Sequence, residues 1–265
     1  MPYVNIENGI QYYYEDRGEG TPIVFVHGWG MNRMVWERQA IDLCDKYRVI
    51  TVDCRGCGNS SKPAHGYKIS ELADDLHQFM QELNLENAVL VGWSAGGSIV
   101  MDYVTRYGGR FVKKAVSVGG AVPRYTSAKG FELGFPQEAV EQTLAAMRVN
   151  RPALIRNIAD GCFHQDVGQP MKDWFFNNFM EQSWFTEKTM EDLGKIDLRN
   201  RLRDITIPVA FFHGLHDGVV PLQLSEYSAR EIAGAKLVVF ENSSHAPFIE
   251  EIDRFNEELV SFIES

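Results

Sequence analysis

The feature that most constrains this 265-residue chain is a set of short, continuous apolar runs. Pro22-Ile23-Val24-Phe25-Val26 is the first, and similar runs recur at Tyr47 to Val52, Ala88 to Val91, Lys114 to Val118, Val209 to Phe212 and Lys236 to Phe240. Unbroken rather than alternating apolarity marks strands buried on both faces, as in a parallel sheet. Between them lie helical repeats: Leu72, Leu76, Phe79, Met80 and Leu83, with Ser70 as candidate N-cap; Ile99, Val100, Tyr103 and Val104; and Ile252, Phe255, Leu259 and Phe262. Strands alternating with helices imply βαβ units and an α/β protein. Val4–Ile6 and Ile10–Tyr14 flank Asn8-Gly9, a hairpin signal, and would add two antiparallel strands at one edge. The expectation is a mostly parallel eight-stranded sheet flanked by helices.

The alternation stops between residues 121 and 204, a stretch that is helix-leaning and rich in aromatics. It is too long for a bare connection. It is expected to be a helical cap inserted into a core made of residues 1–120 and 205–265. Most of its aromatics suit the insertion's own packing, with Phe163 a candidate for lining a pocket.

Composition narrows the function. The formal net charge of −10 lacks the basic face that nucleic acids require. No apolar run approaches the roughly 20 residues of a membrane span, and Met1 to Gly9 does not read as a signal peptide. Four cysteines do not make a disulfide framework in a chain of this length, and a reducing cytoplasm is the expected compartment. Cys54 and Cys57 have C-x-x-C spacing, but without a second pair they are weak grounds for a redox or metal site.

Chemistry is carried by three loops. Ala88 to Val91 runs into Gly92-Trp93-Ser94-Ala95-Gly96-Gly97, a G-x-S-x-G sequence set between a buried strand and a helix. That placement describes a nucleophile elbow, in which a sharp turn lifts the serine hydroxyl above the sheet edge. Asp217 follows the run ending at Phe212, and His245 follows the run ending at Phe240. A serine hydroxyl is a weak nucleophile near neutral pH. An imidazole that takes its proton, oriented by a buried carboxylate, activates it. Ser94, His245 and Asp217 are therefore the expected nucleophile, general base and orienting acid. His27-Gly28-Trp29-Gly30 follows the first buried strand. The backbone N–H groups of Trp29 and Ala95 are the expected oxyanion donors. His27 reads as a brace for its loop. His213 and His216 find no further ligands to complete a metal site, so no metal or cofactor is expected. Trp93 and the cap aromatics would form an apolar acyl pocket.

These residues resemble the α/β-hydrolase superfamily along nearly the whole chain. Asp53-Cys54-Arg55-Gly56-Cys57-Gly58-Asn59-Ser60 resembles the D-x-R-G-x-G-x-S loop of its esterase, epoxide-hydrolase and haloperoxidase-like members. Superfamily dehalogenases and epoxide hydrolases use an aspartate nucleophile, so Ser94 argues against both activities. A closer resemblance, to pimeloyl-[acyl-carrier-protein] methyl ester esterases, lies in His27 to Asn32, Trp36, Gly92-Trp93-Ser94, Asp197-Leu198-Arg199, Asp217 to Pro221 and His245 to Ile249. It implies hydrolysis of a short or medium acyl ester, with a carrier protein as a candidate partner. Arg148, Arg151 and Arg156 would then be candidates to grip a phosphate or an acidic carrier, against the simpler reading of solvated helix charges. Lactone hydrolysis and cofactor-free perhydrolysis use the same triad. A slow-turnover ligand receptor is the alternative from another class.

Overall fold

A computed structural model describes residues 2–265. Eight strands form one sheet: β1 (Tyr3–Ile6), β2 (Ile10–Arg17), β3 (Pro22–Val26), β4 (Arg48–Val52), β5 (Ala88–Trp93), β6 (Val112–Val118), β7 (Val209–Gly214) and β8 (Lys236–Phe240). The spatial order is β1-β2-β4-β3-β5-β6-β7-β8. The β1–β2 and β2–β4 pairs are antiparallel, and every other pair is parallel. The edge hairpin therefore falls where expected. Its connection is a 3₁₀ turn, Glu7–Gly9, in which Gly9 takes φ +70°.

The helices are α1 (Glu37–Leu43), α2 (Ile69–Glu82), α3 (Ala95–Tyr107), α4 (Gln137–Gly161), α5 (Gly168–Met180), α6 (Glu187–Leu193), α7 (Leu222–Glu231), α8 (Pro247–Glu250) and α9 (Ile252–Glu264). Central strands carry no polar side to solvent: Ile23 to Val26 and Ala88 to Trp93 are buried throughout, as continuous apolarity requires. The aromatic rings of Trp36, Phe248 and Phe255 interlock where α8 and α9 close the core.

Ser70 does not cap α2. The N-cap is Lys68, whose backbone N–H donates to the Glu71 carboxylate, while Asp192 of α6 accepts from the Ile69 N–H. A carboxylate from a distant helix thus displaces the local serine at this end.

Between β6 and β7 stand α4, α5, α6 and 3₁₀ turns at Trp184–Thr186 and Arg199–Asp204. Helix α4 breaks at Asn150 (φ −152°, ψ 79°), just before Arg151 and Pro152. Proline cannot donate to the preceding turn, so the second half restarts there, with the Asn150 side chain accepting from the Ala153 N–H. No described helix is long and apolar enough to cross a membrane.

Candidate active site

Ser94 sits between the end of β5 and the first turn of α3, with φ 55° and ψ −121°. Those angles suit glycine better than serine, and they turn the side chain out of the sheet. Flanking glycines make the turn possible. A Cβ on Gly92 would lie 2.2 Å from the Gly96 carbonyl oxygen, and one on Gly96 would lie 2.5 Å from that of His27. The amino end of α3 points at this serine, favouring negative charge beside it.

Asp217 and His245 leave the carboxyl ends of β7 and β8, the same sheet edge as Ser94. His245 Nδ1 donates to Asp217 Oδ2 at 2.7 Å. The other carboxylate oxygen accepts from the N–H groups of Val219 at 2.8 Å and Val220 at 2.9 Å. His213 Nε2 faces the Val220 carbonyl at 2.9 Å and Asp217 Oδ2 at 3.2 Å, and so donates. Burial alone would raise the Asp217 pKa. The facing His245, then the hydrogen bond from His213, outweigh it and hold the carboxyl well below its usual range. With Nδ1 committed, His245 Nε2 is left buried and without a hydrogen-bond partner among the described residues. His245 and Ser94 line one cavity.

The cavity measures about 120 Å³. Trp29, Trp93, Val219 and Val220 line it together with Ala121, Tyr125, Ile158, Cys162, Phe179, Met190 and Leu193 from the stretch between β6 and β7. Most of this surface is apolar, with Thr143, Ser94 and His245 as its polar members. Burial pushes the Tyr125 hydroxyl up to about 12, and it donates to the Val219 carbonyl rather than offering charge to a ligand.

The loop after β3 crosses above the serine. Gly28 is packed so closely that a Cβ there would lie 3.0 Å from the Ser94 Cβ. The Trp29 and Ala95 backbone N–H groups have no acceptor among the described residues. His27 braces this loop: Nε2 accepts from the Cys54 N–H at 2.9 Å, and Nδ1 donates to the Gly28 carbonyl at 2.7 Å. Burial lowers its pKa, in keeping with a neutral ring. The D-x-R-G-x-G-x-S loop lies behind the brace. Asp53 accepts from the Arg33 and Asn59 N–H groups, and Arg55 forms a buried two-point pair with Asp75. Cys54 and Cys57 are both buried, and burial pushes the Cys57 thiol up to about 12. Neither has the character of a reactive thiolate.

Other expected pocket residues fare differently. Trp93 lines the cavity, and its indole N–H donates to the His245 carbonyl at 2.7 Å. Phe163 does not line it; its ring packs edge-on against Phe175 with centroids 4.7 Å apart. None of the three arginines lines it either. Arg148 is largely exposed beside Glu187, 3.6 Å away. Arg151 donates to the Met180 and Gln182 carbonyls at 3.2 and 3.1 Å. Arg156 pairs with Asp173 at 2.9 Å over the Phe176 ring. Arg151 and Arg156 are therefore engaged within their own segment, by carbonyls at the carboxyl end of α5 and by a carboxylate of α5.

Sequence reasoning passed over Gly119. It follows β6 at φ +51°, and a Cβ there would lie 3.1 Å from His245 Nδ1 and 3.2 Å from Asp217 Oδ2. Its place beneath the Asp–His pair is set by the β6–β7 pairing, which no local motif reports.

A strand-elbow-helix serine, an Asp–His pair and an apolar cavity on one edge of such a sheet define a hydrolase architecture. The chain belongs to the α/β hydrolase fold family, whose model matches residues 21–252. An esterase (EaEST) from Exiguobacterium antarcticum superposes with a TM-score of 0.96, at 34% identity over 99% of both chains. A non-heme haloperoxidase from Rhodococcus erythropolis is 31% identical over 100% of both chains. A pimeloyl-[acyl-carrier protein] methyl ester esterase from Vibrio atlanticus is also 31% identical, over 94% of this chain and 97% of its own.

Proposed function

We propose that this protein is a serine carboxylesterase that hydrolyses esters of short acyl groups through an acyl-enzyme. The observation that carries this reading is the buried Nε2 of His245, without a partner among the described residues and opposite a ring nitrogen bonded to Asp217, on a residue that lines the same cavity as Ser94. Ser94 Oγ attacks the ester carbonyl carbon, and its proton passes to His245 Nε2. The oxyanion is held by the Trp29 and Ala95 N–H groups. Collapse expels the alcohol, which takes the proton from His245. Water then enters by the same general-base route, cleaves the acyl–Ser94 bond and releases the acid. Asp217 keeps the imidazole in the accepting tautomer throughout.

Residues 121–204 act in this reading as a cap, supplying the outer wall of the acyl cavity. An apolar cavity of about 150 Å³ holds a benzene ring, so the 120 Å³ present suits an acyl group of about two to four carbons. The engagement of Arg151 and Arg156 within their own segment favours a small-molecule ester over an acyl group presented by a carrier protein. The same small chamber also suits a short carboxylic acid, and one relative is named a haloperoxidase. Perhydrolysis is therefore the second reading.

The test is hydrolysis of p-nitrophenyl acetate, butanoate and octanoate by wild type and Ser94→Ala. Turnover is expected to favour the shorter esters and to disappear in the variant. Equal rates in both proteins, or none in either, refute the esterase. Peracid formation from acetate and hydrogen peroxide, lost in the same variant, would mark the perhydrolase.

A further inference from the structure

An oxyanion donor works only if its N–H is held within a fraction of an ångström of the developing charge. Trp29 lies on a loop, so something has to hold it there. His27 fixes the loop's first half from the core side. The second half is held from the opposite side, by the turn that joins α5 to α6. The Trp29 indole N–H donates to the Thr186 carbonyl at 2.8 Å. Gly30 is pressed against the Gln182 side chain, where a Cβ would come within 2.3 Å of its amide nitrogen. Asn32 donates to Asn178 Oδ1 at 2.9 Å and to Glu181 at 3.2 Å.

That turn is itself built to hold shape. Gln182 donates to the Phe179 carbonyl, and the Thr186 hydroxyl is bonded to both Gln182 Oε1 and the Ser183 carbonyl. The Ser183 N–H donates to the Gly56 carbonyl at 2.7 Å. Arg151, presented at the break in α4, donates to the Met180 and Gln182 carbonyls, where the carboxyl end of α5 concentrates partial negative charge. Its Nε is buried without a partner among the described residues. A partly desolvated cation is therefore spent on the backbone of this one turn.

We propose that the oxyanion hole is a two-segment device: the Trp29 indole and the 178–186 turn form a strut that sets the Trp29 N–H, and Arg151 is a positioning residue acting through that turn. The proposal rests on the serine-esterase reading above. It makes transition-state stabilisation depend on the seating of the helical segment, although of the 178–186 turn only Phe179 reaches the cavity that holds Ser94.

The experiment compares Trp29→Phe, Arg151→Met and Arg151→Lys by kcat and KM on p-nitrophenyl acetate. Calorimetric titration with n-propylboronic acid runs in parallel. Ser94 Oγ adds to boron and its proton passes to His245, so the tetrahedral adduct places an oxygen in the oxyanion hole. Small misplacement of a catalytic group costs up to about 100-fold; a loosened strut should lower kcat about tenfold in Trp29→Phe and Arg151→Met. Boronate affinity should fall by the same factor, and Arg151→Met should leave KM unmoved, because Arg151 does not border the cavity. Arg151→Lys should recover part of the loss. Variants that melt earlier but keep wild-type kcat and boronate affinity overturn the strut, as does a change confined to KM. If the wild type binds the boronate and loses it in Ser94→Ala, the serine reading stands whatever the strut variants do. A wild type that neither binds it nor hydrolyses esters removes both claims.

Discussion

Replacing Asp217 by asparagine changes one atom and should nearly silence the enzyme. Oδ1 accepts two backbone N–H groups at 2.8 and 2.9 Å, while Oδ2 accepts from His245 at 2.7 Å and lies 3.2 Å from His213. An asparagine amide has to direct its NH₂ group one way or the other. Turned toward Val219 and Val220, it sets donor against donor at two short, buried contacts. Turned toward His245, it conflicts only with His213, which keeps the Val220 carbonyl as its acceptor. The second orientation wins. An NH₂ facing His245 Nδ1 must donate to it, so the imidazole proton moves to Nε2. That nitrogen can then no longer accept a proton from Ser94. In a triad of this kind the wrong tautomer costs about 10⁴ in kcat, or roughly 5 kcal/mol of barrier. The assay is kcat/KM on p-nitrophenyl acetate, with circular dichroism to show the fold retained. A folded Asp217→Asn protein within tenfold of wild type would refute the tautomer argument.

Three further outcomes are expected. Ile158→Ala enlarges the acyl wall, so the preferred p-nitrophenyl ester should lengthen by one or two carbons; an unchanged profile would mean the acyl group lies elsewhere. Trp93→Phe deletes a buried hydrogen bond to the His245 carbonyl. It should destabilise by about 1–3 kcal/mol in urea unfolding, and a neutral effect would count against the contact. Acid unfolding should respond to Asp217 with a definite sign. Its folded pKa is held below the unfolded one, so its contribution is complete above the ordinary carboxylate range and is lost as pH falls below it. The stability difference between wild type and Asp217→Asn should therefore shrink steadily toward acid pH.

What the sequence disclosed and what it withheld divide along physical lines. The continuous apolarity of Val24 to Val26 and Val89 to Val91 reports burial on both faces, so strands and sheet type were legible. G-x-S-x-G is local because the elbow is local: Gly92, Ser94 and Gly96 meet within a single turn. The Asp217–His245 pairing could be anticipated because each residue follows a recognisable strand. Gly119 was not, since its need for a bare Cα comes from two other strands' loops. The contacts of the arginines in the 121–204 stretch were hidden for a similar reason. A helix-prone sequence shows where Arg151 and Arg156 lie, but carbonyls and carboxylates brought in by α5 decide what they touch. The α2 N-cap was missed likewise, because Asp192 comes from more than 100 residues away.

The backbone at Ser94 has one last consequence. A non-glycine residue at φ 55° and ψ −121° carries a strain of about 1–3 kcal/mol. Glycine would relieve it, so Ser94→Gly should yield a protein that is inert yet at least as heat-resistant. Selection for thermal endurance alone would therefore discard the proposed nucleophile early. A library screened on this scaffold has to be sorted by turnover first and by melting temperature second.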